Sequence, residues 1–447
     1  VRPRIGWYVH HHGRGHVTRL LAVAPHLDAD IVCFSSFAAP VGLPSNCSWV
    51  VLDRDDDVPD GASPPGDCDP TAEGLLHWAP LGHAGHRARL ATIAVALAQQ
   101  RIDAMVVDVS VEVVLLARLL GVPTVVMAQP GHRDDEPHSL AFRAASTIIA
   151  PWPQGVLELE HLRPVQDKVV HTGGISRFEG RERTAAEAGR SGVLLLAGAG
   201  GSSVSQEAVE EAAHASGRDW TSLGAGAGSV WTDDPWDALC RAEVVVSWAG
   251  QNAIADLAAA GVTAVVVPQE RPFDEQVSTA RALEANELAV VRSTWPDAAD
   301  WTGILDRASE FQPDWSRWQV AGAARRAAEA IEAVAVGDPA GADGEDVCRD
   351  PVLAPPTRTP RTAARGRRGV HTDLGRRGGA TCRVDRRRRT PDPRRGADGP
   401  PSTGVRRTPS RGRPERRCSA RHRPRCRPHR VPRRGLRPRA GPARPIP

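Results

Sequence analysis

Short runs of β-branched and aliphatic residues alternate with longer stretches of helical periodicity from the start of the chain to about residue 337. Ile5–Val9 predicts a strand, followed by a loop at His10–His16 and a helix from about Val17 to Leu27. Ile31–Phe34 and Trp49–Leu52 predict two further strands, and residues 53–73, rich in Asp, Pro and Gly, a mobile surface loop. A helix near Ala84–Gln100 leads to a strand at Ala104–Val109. Val111–Leu120 and Thr124–Met127 then complete a β-α-β unit, broken at Gly121, Val122 and Pro123, and Thr147–Ala150 is the last clear strand of this half.

The pattern restarts after the polar stretch Arg177–Gly192. Gly192–Ala197 predicts a strand, Gly198–Ser203 a glycine- and serine-rich turn, and the residues through about Ala215 a helix. Val244–Ser247, Gln251–Ala260, Ala264–Val267 and Asp274–Ala285 follow as strand, helix, strand and helix, and Ala321–Val336 closes the folded part as a helix. This alternation predicts an α/β fold with parallel sheets. It divides into two facing Rossmann-like domains, residues 1–170 and 171–337, with a cleft between them for a ligand.

Charge sharpens that division. The net charge of +4 over 447 residues conceals −17 on residues 1–337 and +21 on residues 338–447. The last 110 residues contain no Phe, Trp or Tyr, ten Val, Leu or Ile, and 18 Pro, too little apolar surface for a core of their own. They are expected to be a disordered, dispensable basic tail. It is either an arm for polyanions, with runs at Arg386–Arg389 and Arg411–Arg417, or a shifted reading of a GC-rich frame. The same coding bias accounts for 56 Arg beside a single Lys, Lys168. No apolar run reaches the ~20 residues of a membrane span, and Val1-Arg2-Pro3-Arg4 leads into the first strand without a signal-peptide apolar region. Cys33, Cys47, Cys68 and Cys240 lack the spacing of a zinc or disulfide framework, which fits a reducing cytoplasm.

Three segments carry candidate chemistry. The first turn, His10-His11-His12-Gly13-Arg14-Gly15-His16, leads into a helix, whose start presents free N–H groups to anions. His16 faces a ligand in the cleft or caps the helix; adjacent histidines point in different directions, so the triple run alone is poor metal-ligand spacing. Gly198–Ser203 has the strand-turn-helix setting that holds a diphosphate, or it is only a turn; without a GxGxxG or a P-loop lysine it does not support ATP hydrolysis. The third segment runs from Ser247-Trp248-Ala249-Gly250-Gln251-Asn252 to Gly261, and on to Pro268–Gln276. Asp256, six residues after Gly250, sits one or two turns into the helix; it reaches a ribose there, or is an exposed helix acid.

Together these segments resemble the GT-B glycosyltransferases of the MurG type, over roughly residues 4–335 in order. That family transfers N-acetylglucosamine from a UDP-sugar to a lipid-linked acceptor. The resemblance implies that His16 is the essential histidine of the first domain and Asp256 the ribose-binding acid, here shorter than the usual Glu. It implies further donor contacts from Gln276, with Asp274 and Glu275 close by, from Arg177 near the nucleotide, from Gly200, Gly201, Ser202 and Ser203, and from Gly250, Gln251 and Asn252. The base is expected against backbone near Asp233-Asp234-Pro235. Gly13, Gly15 and Gln129 lie on the acceptor side; Met127-Ala128-Gln129-Pro130-Gly131 lacks the family's flanking Glu and Asn, so a peptidoglycan acceptor is not implied.

The expected activity is direct displacement of a hexose, N-acetylglucosamine or a similar sugar, from a UDP-sugar onto an acceptor hydroxyl. No cofactor and no metal are called for: amides and helix dipole are expected to hold the leaving diphosphate. His16 is the expected base, since an imidazole is largely neutral near pH 7, and Asp108 at a strand end is the expected carboxylate behind it. The partners are a nucleotide-sugar donor and a lipid-linked or small-molecule acceptor, with peripheral membrane association and no specific nucleic acid. Rival readings are a UDP-sugar epimerase, a dTDP-sugar natural-product transferase and a non-catalytic binder with a nucleic-acid arm.

Overall fold

The computed structural model describes residues 2–58, 61, 63–183, 189–198, 201–224 and 229–337; the basic tail and Gly200 lie outside the described residues. The first half builds β1 (Arg4–Val9), α1 (Gly15–Val23), β2 (Asp30–Ser35), β3 (Cys47–Val51), α2 (Ala84–Gln99), β4 (Ala104–Asp108), α3 (Val111–Leu119), β5 (Thr124–Met127), α4 (Glu136–Ala144), β6 (Thr147–Ala150) and β7 (Val169–His171). The second builds β8 (Val193–Ala197), α5 (Gln206–Ser216), β9 (Trp220–Gly224), α6 (Trp236–Arg241), β10 (Val244–Ser247), α7 (Gln251–Ala260), β11 (Thr263–Val266), α8 (Glu275–Ala285), β12 (Val290–Val291), α9 (Trp301–Glu310) and α10 (Ala323–Ala335).

The first sheet has the strand order β3-β2-β1-β4-β5-β6-β7 and the second β12-β11-β10-β8-β9. The pairings are parallel throughout, as in Val9 against Asp108 and Ser247 against Leu196. Successive side chains of a strand point to opposite faces, and both faces here are covered by helices, so the strands are apolar nearly without interruption. Ile5, Trp7 and Val9 pack on one side of the first sheet with α1; Tyr8 packs on the other with Phe34, Met105 and Val107. In the second sheet Leu194 and Val245 join the layer of α6 and α7, whereas Val193, Leu195, Val244 and Val246 meet Trp301, Ile304 and Leu305 of α9.

The sequence reading omits α4, β9, α6, β12 and α9, and three of the elements it does name differ in extent or placement. The first helix ends at Val23 and tightens into a short 3-10 turn, Ala24–His26, where Pro25 removes a backbone donor. The helix after the second glycine-rich turn starts at Gln206, because Ser205 caps it by accepting from the Ala208 N–H. Helix α10, placed in the second half by its position in the chain, returns to the first: Ala323, Ala327, Ile331 and Val334 pack with Ile5, Trp7 and Leu20. The first sheet also extends through His171. Among the described residues no helix is long and apolar enough to cross a membrane, and Cys33, Cys47, Cys68 and Cys240 are free.

Candidate active site between the two sheets

In each sheet the strand order reverses next to the first strand of its half, at β1/β4 and at β8/β10. Such switch points open a crevice beyond the carboxyl ends of the strands. Register places Asp108, the last residue of β4, beside Val9, the last of β1. The chain then turns through Val109, a β-branched residue at a φ of +66°, and restarts at Ser110, whose hydroxyl caps α3 by accepting from the Val113 N–H. A bulky residue held in the left-handed region is unusual and marks a backbone fixed by its surroundings.

His16, in the first turn of α1, has Nδ1 2.9 Å from Oδ1 of Asp108. The same oxygen accepts from Nη1 of Arg19 at 2.7 Å, and Nη2 of Arg19 donates to Oε1 of Gln251 at 2.9 Å. Asp108 is fully buried and the Arg19 side chain is 3% exposed. Burial opposes ionisation of Asp108, but the charges and hydrogen bonds of Arg19 and His16 outweigh it and hold the carboxyl at about 2. The ordering His16, Asp108, Arg19, Gln251 therefore crosses from one sheet to the other. A second crossing is the Asn252 Nδ2 donating to the Gly15 carbonyl at 2.8 Å, and a third sets Arg14 beside Asp233 at 3.6 Å and over the Trp231 ring. Gly15, expected on the acceptor side, thus meets the donor half; Gly13, at a φ of +79°, stands in open space.

In the second half Gly250 precedes α7 without any side-chain cap, and the first turn of α7 has no acidic residue. Its N–H groups remain available to an anion. Helix α5, by contrast, is capped by Ser205 and carries Glu207 in its first turn. Gly201 takes a φ of +85°, Ser202 closes a local turn with Val204, and the Ser203 hydroxyl accepts from Gln269 Nε2 at 3.4 Å. The loop after β11 therefore touches the turn after β8.

Asp256 lies deeper than the sequence suggested. It is 4% exposed. Its Oδ1 accepts from the Ser176 hydroxyl at 2.6 Å and its Oδ2 from Nε of Arg177 at 3.3 Å. Each oxygen thus already accepts one hydrogen bond from the protein. Burial raises its pKa to about 6, against the lowering effect of Arg177 and Ser176. Arg177 is the more accessible of the pair; it also donates to the Asp233 carbonyl at 2.9 Å and lies over the Phe178 ring. Gln276 is turned back, its Oε1 accepting from the Gln269 N–H at 3.0 Å, so its amide NH2 is the end left for a sugar. Asp274 is exposed, and with Phe273 takes a left-handed backbone (φ 54° and 62°). Glu275 pairs with Arg133 at 3.3 Å.

The segment expected on the acceptor side is fastened to the loop expected to hold the donor. The His132 N–H donates to the Phe273 carbonyl at 2.7 Å, and Arg133 lies over the Phe273 ring. Gln129 is buried with its Nε2 unpartnered among the described residues. Beside His10 opens a cavity of about 260 Å³ lined by Tyr8, His10, His11, Trp78, Leu90 and Val113, among others. Burial first, and the neighbouring imidazoles second, hold His10 well below the ordinary imidazole range. The sequence reading missed Arg19, although its place three residues after His16 puts both on one helix face. It also missed Ser176 and the Phe273 clasp, which bear no local signature.

Residues 230–293 match the glycosyltransferase family 28 C-terminal domain. No curated protein sequence matches the chain. The glycosyltransferase of kitacinnamycin is similar in structure at a TM-score of 0.55 and 15% identity, over 75% of this chain and 100% of that one. The calicheamicin glycosyltransferase is similar at 0.52 and 16%, over 75% and 98% of the two chains. A UDP-glucosyltransferase from Polygonum tinctorium is similar at 0.53 and 14%, over 75% and 99%. These likenesses give the fold, and the matched domain lies in the half that holds Asp233, Gly250, Asp256 and Gln276. The chain thus shares the GT-B fold of these proteins, and a stretch of its second half matches the family 28 C-terminal domain.

Proposed function

We propose that this protein transfers a hexosyl group from a UDP-sugar to the hydroxyl of a small-molecule acceptor by one direct displacement, with no metal at the diphosphate. The observation that carries the reading is the pair His16–Asp108 at 2.9 Å, at the first switch point and linked through Arg19 to Gln251 at the second. With Nδ1 held by Asp108, Nε2 of His16 is the atom left to take a proton. The acceptor oxygen attacks the anomeric carbon, its proton passes to Nε2, and the bond to the diphosphate oxygen breaks with its electron pair leaving on UDP. The uncapped start of α7 and the backbone of residues 201–203 receive that charge. Arg177 and Asp256 hold the nucleoside side, and Asp274, Glu275 and the Gln276 amide the sugar. The cavity beside His10, of about 260 Å³, suits a compact acceptor group, in keeping with the natural-product transferases that share the fold.

The test is incubation with a panel of UDP- and dTDP-sugars, UDP-N-acetylglucosamine first, with mass detection of products. Free UDP that appears only with an acceptor supports transfer. A changed sugar without an acceptor would mean epimerisation, and acceptor-dependent release of dTDP from dTDP-sugars, with no UDP released from UDP-sugars, would move the donor to that class.

A further inference from the structure

The sequence offers three adjacent histidines to which the transfer reaction gives no proton, and the fold brings a carboxylate to two of them. His11 Nε2 lies 3.9 Å from Oδ1 of Asp56, and His12 Nε2 lies 3.6 Å from Oδ2 of the same residue. Asp55 Oδ1 stands 3.4 Å from His11 Nε2. One ligand atom from each of His11, His12 and Asp56 falls within 4.8 Å of the others. These separations are too long for good hydrogen bonds. Two ligands about 2.0–2.1 Å from one tetrahedral ion, however, stand roughly 3.3 Å apart. The His11 side chain is 1% exposed, and neither of its ring nitrogens has a hydrogen-bond partner among the described residues. A buried polar group left so needs an explanation, and an ion supplies one.

A second cluster makes the contrast. His77, Asp135 and His138 are as close together, but there the contacts are hydrogen bonds. His138 Nδ1 is 2.8 Å from Oδ1 of Asp135, and its Nε2 is 3.1 Å from Nη1 of Arg133. Both nitrogens are in use, so no lone pair is left for an ion. At His11 neither ring nitrogen is hydrogen-bonded among the described residues, so the tautomer with its proton on Nδ1 can turn the Nε2 lone pair to an ion. Asp56 now receives Arg54 at 3.0 and 2.6 Å, but that arginine is 42% exposed and can turn into water. Asp55 is held by Arg89 and stays outside the first set of ligands.

We propose that His11 Nε2, His12 Nε2 and Asp56 bind a divalent first-row transition ion, Zn²⁺ in the first instance. Two imidazoles and one carboxylate favour such an ion over Mg²⁺ or Ca²⁺, which take oxygen ligands. The ion ties residues 54–57 to the first loop and fixes one wall of the cavity. His11 stacks on His10 with ring centroids 5.0 Å apart, and His10 lies edge-on to His16 at 5.7 Å, so the ion orders the imidazoles beside the base without touching it.

The experiment uses the full chain stripped with chelator and titrated with Zn²⁺ against a chromophoric chelator, and with Co²⁺ by absorption. His12 is 66% exposed and Asp56 32%, so His12→Ala and Asp56→Asn should fold. Each is expected to weaken one equivalent of Zn²⁺ binding about tenfold or more, with loss of the matching Co²⁺ bands, while His77→Ala binds as the unaltered chain does. Equal binding by His12→Ala, Asp56→Asn and the unaltered chain overturns the assignment. So do Co²⁺ bands of thiolate charge transfer, which would place the ion on cysteines, or loss of binding in His77→Ala alone. The readout is metal binding itself, and its failure leaves the transfer reaction standing.

Discussion

Asp108→Asn removes one charge and almost no volume from the centre of the site. The carboxylate holds its proton only below about 2, against an ordinary 3.8, despite complete burial. At ~1.36 kcal/mol per pH unit, that difference is worth on the order of 2 kcal/mol of folding stability. The sign follows from the direction. A depressed carboxyl stabilises the fold above its unfolded value, and the stabilisation is lost as pH falls from about 4 towards 2. The substitution also leaves Arg19, 3% exposed, without a counter-charge at 2.7 Å. Breaking a buried pair in this way costs about 3–5 kcal/mol. The variant should therefore be less stable near neutrality by roughly that amount, and the gap should narrow by about 2 kcal/mol towards pH 2. Urea unfolding at a series of pH values measures both. In transfer, the Asn oxygen can still accept from His16 Nδ1, but no anion faces the cation formed when Nε2 takes its proton. Turnover should fall on the order of 10²–10⁴-fold. A gap constant with pH, or a variant as stable and active as the unaltered chain, would refute the role of the Asp108 charge.

His16→Ala should lower kcat by roughly 10²–10⁴ with donor affinity nearly unchanged, read by turnover and by UDP titration; normal turnover here with loss in His12→Ala would move the base back along the loop. Asp256→Asn should change the pH dependence of stability in the opposite sense to Asp108. Its folded value of about 6 lies above the ordinary 3.8, so stability present below about 4 is lost as pH rises through 6, and unfolding curves of the variant should lack that fall. Gly131→Ala should destabilise by about 2 kcal/mol or more, because Gly131 has a φ of +100° and a Cβ there would run into the Phe273 carbonyl; an unchanged melting temperature would mean that the clasp is loose.

The pair His16–Asp108 was legible because both residues end or follow parallel strands, and such ends converge at a switch point whatever the rest of the fold does. Arg19 was not, since a lone arginine in a helix looks like a solvated position until the strand carrying Asp108 is placed beneath it. Asp256 shows the same limit. Its spacing from Gly250 gives its turn of the helix, but Ser176 and Arg177, which occupy its oxygens, lie about 80 residues away in sequence. Helix α10 has a clear apolar face in Ala323, Ala327 and Ile331; periodicity says that such a face is covered, not by which sheet. β9 and α9 escaped notice because Trp220-Thr221-Ser222 and Trp301-Thr302-Gly303 interrupt the apolar pattern at their starts, although Trp301 is fully buried. The histidine run was weighed alone, and its neighbour in space, Asp56, comes from a polar loop with no periodicity to place it.

The glycine-rich loop after β1 also acquires a different purpose from the one its composition suggests. A side chain at Gly15 would stand 3.3 Å from Nδ2 of Asn252, and the Gly15 carbonyl accepts from that same amide. The glycine therefore admits the start of α7, and Arg19 and Gln251 repeat the contact one turn further on. Two helix starts, each the positive end of a dipole, are held together with Arg14 and Arg19 beside them. Asp108 offsets Arg19 and Asp233 faces Arg14, which leaves the amides of the two helix starts without an anion of their own. A diphosphate bound there, as the proposed reaction requires, would supply that negative charge and meet the α7 amides, while the links through Gly15 and Arg19 would carry its placement to the turn that bears His16. In the reaction proposed above, donor binding and the orientation of His16 would then be one event, because the residues that join the two halves are neighbours of His16 and Asp108.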